Sequence, residues 1–149
     1  MPSVPSSEII GWFADIGLSD RPTVGGKGGS LGELTRASIP VPPGFVVRTA
    51  AFERFLSALE QQEPIREKVE ALGPDEFERI TAHAQHLRAR IESAPLPDDV
   101  SSAILAAHTE LCGEHSIAPL AVRSSATTED AADASFAGLQ DTYLWTVGV

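Results

Sequence analysis

Val24-Gly25-Gly26-Lys27-Gly28-Gly29-Ser30 gathers four of the chain's twelve glycines into seven residues and runs into Leu31, Leu34 and Ala37 at helical spacing. The pattern predicts a glycine-rich loop opening a short helix. Such a loop presents backbone N–H groups to an anion at the positive helix end, and Lys27 within it adds a mobile cation suited to phosphate oxygens. The spacing is neither that of a GxxxxGK[ST] loop nor that of a GxGxxG turn after a strand, and a plain surface turn fits the same residues.

Beyond this stretch, Pro40, Pro42 and Pro43 stop any helix and Gly44 completes a turn, so that Phe45-Val46-Val47 reads as a buried strand. Before it, Met1 to Ser7 reads as a disordered terminus, with the folded domain covering residues 8–149. Ile9, Ile10, Trp12 and Phe13 form an apolar cluster expected to pack on the core. Thr49 is placed to cap a helix through Leu56. A second helix is predicted from about Pro74 to Ser93, with Phe77, Ile80, Ala84, Leu87 and Ile91 on one face. A third, carrying Val100, Ile104 and Leu111, opens at Pro97, with Asp98 and Asp99 favouring its positive end.

The apolar run Leu120-Ala121-Val122 reads as a strand delivering Arg123-Ser124-Ser125 at its carboxyl end. There a guanidinium can grip phosphate in a bidentate fork, or pair with Glu129 or Asp130. Ser124, Ser125, Thr127 and Thr128 can donate to phosphate or satisfy loop backbone. Ala134-Ser135-Phe136-Ala137-Gly138 is a small-residue loop whose backbone can approach a ligand closely while Phe136 forms an apolar wedge; a hairpin turn with one core aromatic fits it equally. Alternation of Tyr143, Trp145 and Val147 with Thr142, Leu144 and Thr146 predicts a half-buried final strand.

A chain of 149 residues predicts one core, and 42% hydrophobic with 21% charged residues is a globular composition. The formal charge of −10 opposes binding to nucleic acid or to an anionic membrane. Local donors can still hold a small phosphate ligand, because the distant field is screened over roughly 8–10 Å at physiological salt. Cys112 is the single cysteine, which rules out an internal disulfide and a multi-thiolate zinc site. His83, His86, His108 and His115 are scattered without a third ligand, so no metal site is predicted. The start has no cationic leader and no apolar run long enough for a span, which predicts a cytoplasmic setting.

These blocks together resemble the nucleotide-binding domain of the family that contains phosphoenolpyruvate synthase, pyruvate phosphate dikinase and the rifamycin phosphotransferases. The matching blocks are Val24 to Gly28 with Ser30-Leu31-Gly32-Glu33, Val41-Pro42-Pro43-Gly44-Phe45, Ala121 to Thr127 with Glu129-Asp130, and Ala134 to Gly138 with Asp141-Thr142-Tyr143-Leu144. Trp12-Phe13 with Ile16-Gly17-Leu18 looks most like the synthase branch.

The resemblance implies an α+β, partial ATP-grasp-like fold with helices packed on a small mixed or antiparallel sheet. It implies a phosphotransferase of the kinase type with paired acceptors, acting on ATP, pyruvate and water to give phosphoenolpyruvate, AMP and phosphate. In it Lys27 and Arg123 are the catalytic cations; Gly25, Gly26, Lys27, Arg123, Ser124, Thr127, Ser135, Phe136, Ala137 and Gly138 form the ATP site, the last four covering the transferring group. Phosphoryl transfer needs positioning and charge neutralisation more than covalent help, which suits this equipment. Leu139 stands where relatives commonly carry glutamine. The family's second nucleotide-binding half, its magnesium ligands, its phosphohistidine domain and its pyruvate-binding barrel have no counterpart in this chain. The chain alone is therefore expected not to complete the reaction and to depend on the remaining half of the enzyme or on a homo-oligomer. A rifamycin-type antibiotic phosphotransferase fits the same loops, and a non-catalytic module binding partners through an exposed final strand is the reading from another class.

Overall fold

The structure, a computed structural model, describes residues 6–113, 118–127 and 141–147. In chain order it contains α1 (Ser6–Ile9), β1 (Ile10–Trp12), a 3-10 turn (Leu18–Asp20), α2 (Arg21–Arg36), β2 (Phe45–Val47) and α3 (Thr49–Glu60). These are followed by α4 (Ile65–Glu70), α5 (Phe77–Ser93), α6 (Asp98–Cys112), β3 (Leu120–Arg123) and β4 (Thr142–Thr146). The chain forms two compact units, Met1–Ala51 with Asp99–Val149, and Phe52–Asp98, where length alone predicts one core. Helices with small antiparallel sheets make it an α+β protein.

In the first unit β1 and β2 pair antiparallel, with Ile10 opposite Val47 and Trp12 opposite Phe45. The Trp12 and Phe45 rings meet edge to face at 5.3 Å, a cross-strand pair of the kind that fixes register. Behind the ribbon lie Ile9, Ile10 and Ala51 together with Val100, Ala103 and Ala107 of α6, whose spacing makes one helical stripe. Alanine at two of these positions lets the helix approach closely. His108 is buried on the same helix, its Nε2 3.6 Å from the Cys112 sulfur, which gives the lone thiol a packing role. A helix begins at Ser6, inside the stretch expected to be disordered.

The glycine-rich stretch is helical, not a loop: only Gly25, at φ 74° and ψ 173°, leaves helical geometry within α2. Glycine disfavours a helix by about 1 kcal/mol relative to alanine, and packing reverses that preference here. A Cβ on Gly32 would stand 2.4 Å from the Ile16 carbonyl oxygen, so α2 lies directly on the backbone before it. Strand β2 is half-buried, with Val47 exposed, because a two-stranded ribbon is covered on one side only. Strand β4 pairs antiparallel with β3 but is exposed along its whole length. Leu144 and Trp145 face only Ala121 across a bulge, and Trp145 takes φ 57°, so the strict alternation expected of a half-buried strand is broken.

The second unit packs Phe55 and Leu59 of α3 against Ile65 of α4, with Leu56, Leu87 and Ala94 at the margin. Of the apolar stripe predicted on α5 only Leu87 joins this core; Phe77 is 73% exposed, because so small a unit cannot cover a 17-residue helix. Helix α4 was not expected, since Ile65 is the one residue of its six that is buried. The Glu63 carboxylate accepts hydrogen bonds from Lys68 at 2.6 Å and His86 at 3.1 Å, which ties α4 to α5. Those two bonds, Lys68 first, pull its pKa from 4.5 down to about 2. Among the described residues no helix is long and apolar enough to cross a membrane.

Candidate functional site

An unbroken α-helix would join the Val24 carbonyl directly to the Gly28 N–H, four residues on. At the Gly25 kink the Ser125 hydroxyl sits between them, accepting from the Gly28 N–H at 3.1 Å and donating to the Val24 carbonyl at 2.8 Å. Alongside, the Gly26 N–H donates to the Ala126 carbonyl at 3.0 Å. A side chain entering the helical ladder from 97 to 101 residues away thus clasps the glycine-rich helix to the end of β3.

The same segment is tied on its other side. Ser124 donates both its N–H, at 3.3 Å, and its hydroxyl, at 3.1 Å, to the Asp141 carbonyl at the start of β4. The blocks around residues 24–28, 123–127 and 141–142, scattered in sequence, therefore meet at one place.

Lys27 is half-buried and lies between Gly26 and Gly28, the two residues whose amides are clasped. Arg123 is exposed at the last position of β3, opposite Thr142, two residues before the clasping serine. Thr127 is exposed in the turn that follows. Gly25 and Gly26 are buried: the first supplies the kink, and the second spends its amide on Ala126. Ser135, Phe136, Ala137 and Gly138, with Leu139 and the acidic pair Glu129 and Asp130, lie outside the described residues.

By sequence this unit has five basic residues against eleven acidic ones. Arg21, Lys27 and Arg36 are on α2, and Arg48 reaches it from the end of β2, donating to the Thr23 hydroxyl at 3.1 Å. Arg123 completes the set on the clasped segment. Asp20 accepts from the Gly17 N–H at 2.9 Å, and Glu33 of α2 accepts from the Leu18 N–H at 3.4 Å.

Sequence reading passed over Arg48, whose Nε also donates to the Ile10 carbonyl at 3.4 Å. The one signal was Gly11 on the neighbouring strand, where a Cβ would come within 3.1 Å of the guanidinium. Among the described residues no group of three His, Cys, Asp or Glu side chains is arranged to hold a metal ion.

Residues 21–149 match the family model described as the pyruvate phosphate dikinase, AMP/ATP-binding domain. The chain is 42% identical over 142 residues to a probable phosphoenolpyruvate synthase of Methanocaldococcus jannaschii, covering 93% of this chain and 12% of that protein. It is 45% identical over 138 residues to a probable phosphoenolpyruvate synthase of Archaeoglobus fulgidus, 92% of this chain and 18% of the relative. It is also 40% identical over 147 residues to a rifampicin phosphotransferase of a Streptomyces species, 96% of this chain and 16% of the relative. The chain spans less than a fifth of the length of each of these three relatives. The model's match begins at Arg21, the first residue of the clasped helix, and takes in β3 and β4. Structure and comparison thus mark the same stretch, and the chain belongs to the pyruvate phosphate dikinase AMP/ATP-binding domain family.

Proposed function

We propose that this chain is the phosphate-gripping portion of the ATP site of a phosphoenolpyruvate synthase-type phosphotransferase, with Lys27 and Arg123 neutralising the phosphates during transfer. The observation that carries the reading is the clasp of Ser125 and Ala126 onto Val24, Gly26 and Gly28, which brings the segments bearing both cations together. Because the Gly26 and Gly28 amides already have protein acceptors, the grip on phosphate comes from side chains: the Lys27 ammonium, the Arg123 fork and the Thr127 hydroxyl. Gly25 and Gly26 hold geometry, Ser124 anchors the segment to β4, and Ser135, Phe136, Ala137 and Gly138 close over the transferring group.

ATP is the ligand that a member of this family is built to take, and pyruvate with water is the acceptor pair of the synthase reaction. In this reading the magnesium ligands come from the other half of the nucleotide-binding domain. A cytoplasmic setting accompanies this chemistry, and a single cysteine is consistent with a reducing compartment.

The Streptomyces relative favours a second reading, transfer to a rifamycin antibiotic. AMP formation by the complete reading frame separates the two. The synthase reading predicts AMP from ATP when pyruvate is added and none when rifampicin is added; the reverse pattern selects the antibiotic enzyme, and AMP with neither acceptor rejects both.

A further inference from the structure

The serine that closes the clasp has a more specific part than holding two segments together. We propose that Ser125 is a positioning residue of the phosphate site, setting the backbone that carries Lys27 relative to the strand end that carries Arg123. The inference rests on the phosphate-gripping reading above and adds a residue to it.

Two adjacent serines divide the work. Ser124 turns its hydroxyl to the Asp141 carbonyl and fixes its segment to β4. Ser125 turns the other way, into the break in α2, where it accepts from Gly28 and donates to Val24. A hydroxyl does both at once; a methyl group does neither, and a carboxylate accepts without donating. Space restricts the choice further, because a Cβ on Gly25 would already stand 2.4 Å from Ser125 Oγ, and an amide or carboxyl head is larger still.

The consequence lies in the direction of Lys27. Two residues past the kink, its backbone direction depends on whether the Val24-to-Gly28 gap is held open by the inserted hydroxyl or closes into a straight helix. Without the hydroxyl, a buried carbonyl and a buried N–H lose their partner, and the chain regains a bond by closing the helix over them. That movement turns Lys27 away from the segment bearing Arg123 while leaving both residues chemically intact.

The test compares Ser125→Ala, Ser125→Thr and Lys27→Ala in the complete reading frame, with ATP titrated calorimetrically, and follows Gly28 amide exchange in the unsubstituted 149-residue chain. Ser125→Ala is expected to weaken ATP binding about tenfold, the cost of one half-buried bonded pair, and Ser125→Thr to restore most of it. The Gly28 amide is expected to exchange slowly. ATP affinity lost in Lys27→Ala but kept in Ser125→Ala overturns this inference alone. A parent enzyme that binds no ATP overturns the phosphate reading and this inference with it. Should Ser125→Ala fail to fold, the amide decides: exchange at the rate of an unstructured peptide overturns the proposal.

Discussion

Gly25 and Ser125 are in contact at a distance that only glycine permits: a Cβ on Gly25 would lie 2.4 Å from the serine Oγ and 2.5 Å from its carbonyl oxygen. The glycine also holds φ 74° with ψ 173°, a conformation confined to glycine in ordinary proteins. Gly25→Ala therefore meets both a backbone clash and a backbone strain. It is expected to destabilise the unit by at least about 2 kcal/mol, read as a lowered urea midpoint. A midpoint equal to that of the parent would mean that the kink does not exist in solution.

Acid should expose the other unit's weak point. The Glu63 carboxyl has a folded pKa of about 2 against an ordinary 4.5, held down first by Lys68 and then by His86. A depressed carboxyl stabilises the fold in full above the unfolded value and loses that contribution as pH falls through the folded one. Stability of the Phe52–Asp98 unit is thus expected to decline between about pH 4.5 and pH 2, with Glu63→Gln flattening that decline. Equal pH slopes for variant and parent, followed by helical circular dichroism in urea, would contradict the assignment.

Trp12 and Trp145 report on different surroundings. Trp12 is half-buried with its ring against Phe45, whereas Trp145 is 79% exposed on β4. Acrylamide should quench two emission populations in this chain, and Trp145→Phe should remove the more accessible one. If quenching is uniform and unaffected by that substitution, β4 is covered in solution.

How much of this could be read from the sequence differs from residue to residue. The stripe on α6 was legible at Val100 and Ile104 because helical periodicity and the Pro97 start agree. Arg123 at the end of a short apolar strand was legible for the same kind of reason, a local pattern with a local cause. The glycine run was misread as a loop because intrinsic propensity argues against a helix there, while the deciding contact, α2 against the Ile16 backbone, is tertiary. The kink could not be read at all, since the hydroxyl that occupies it arrives from residue 125. Phe77 on α5 and Trp145 on β4 show the converse: periodicity marks an apolar face without revealing whether anything covers it.

The central claim, that Lys27 and Arg123 grip the same phosphates, is tested most directly by a double-substitution cycle on ATP affinity in the complete reading frame. Lys27→Ala and Arg123→Ala are each expected to weaken binding by about 10- to 100-fold, as loss of a charge-assisted contact does. Together they should cost less than the sum, with a coupling of at least about 0.5 kcal/mol. Arg123 is exposed at its strand end, so its removal should leave the urea midpoint near that of the parent. Either single variant binding ATP as tightly as the parent, or two losses that add without coupling, would contradict a shared phosphate site.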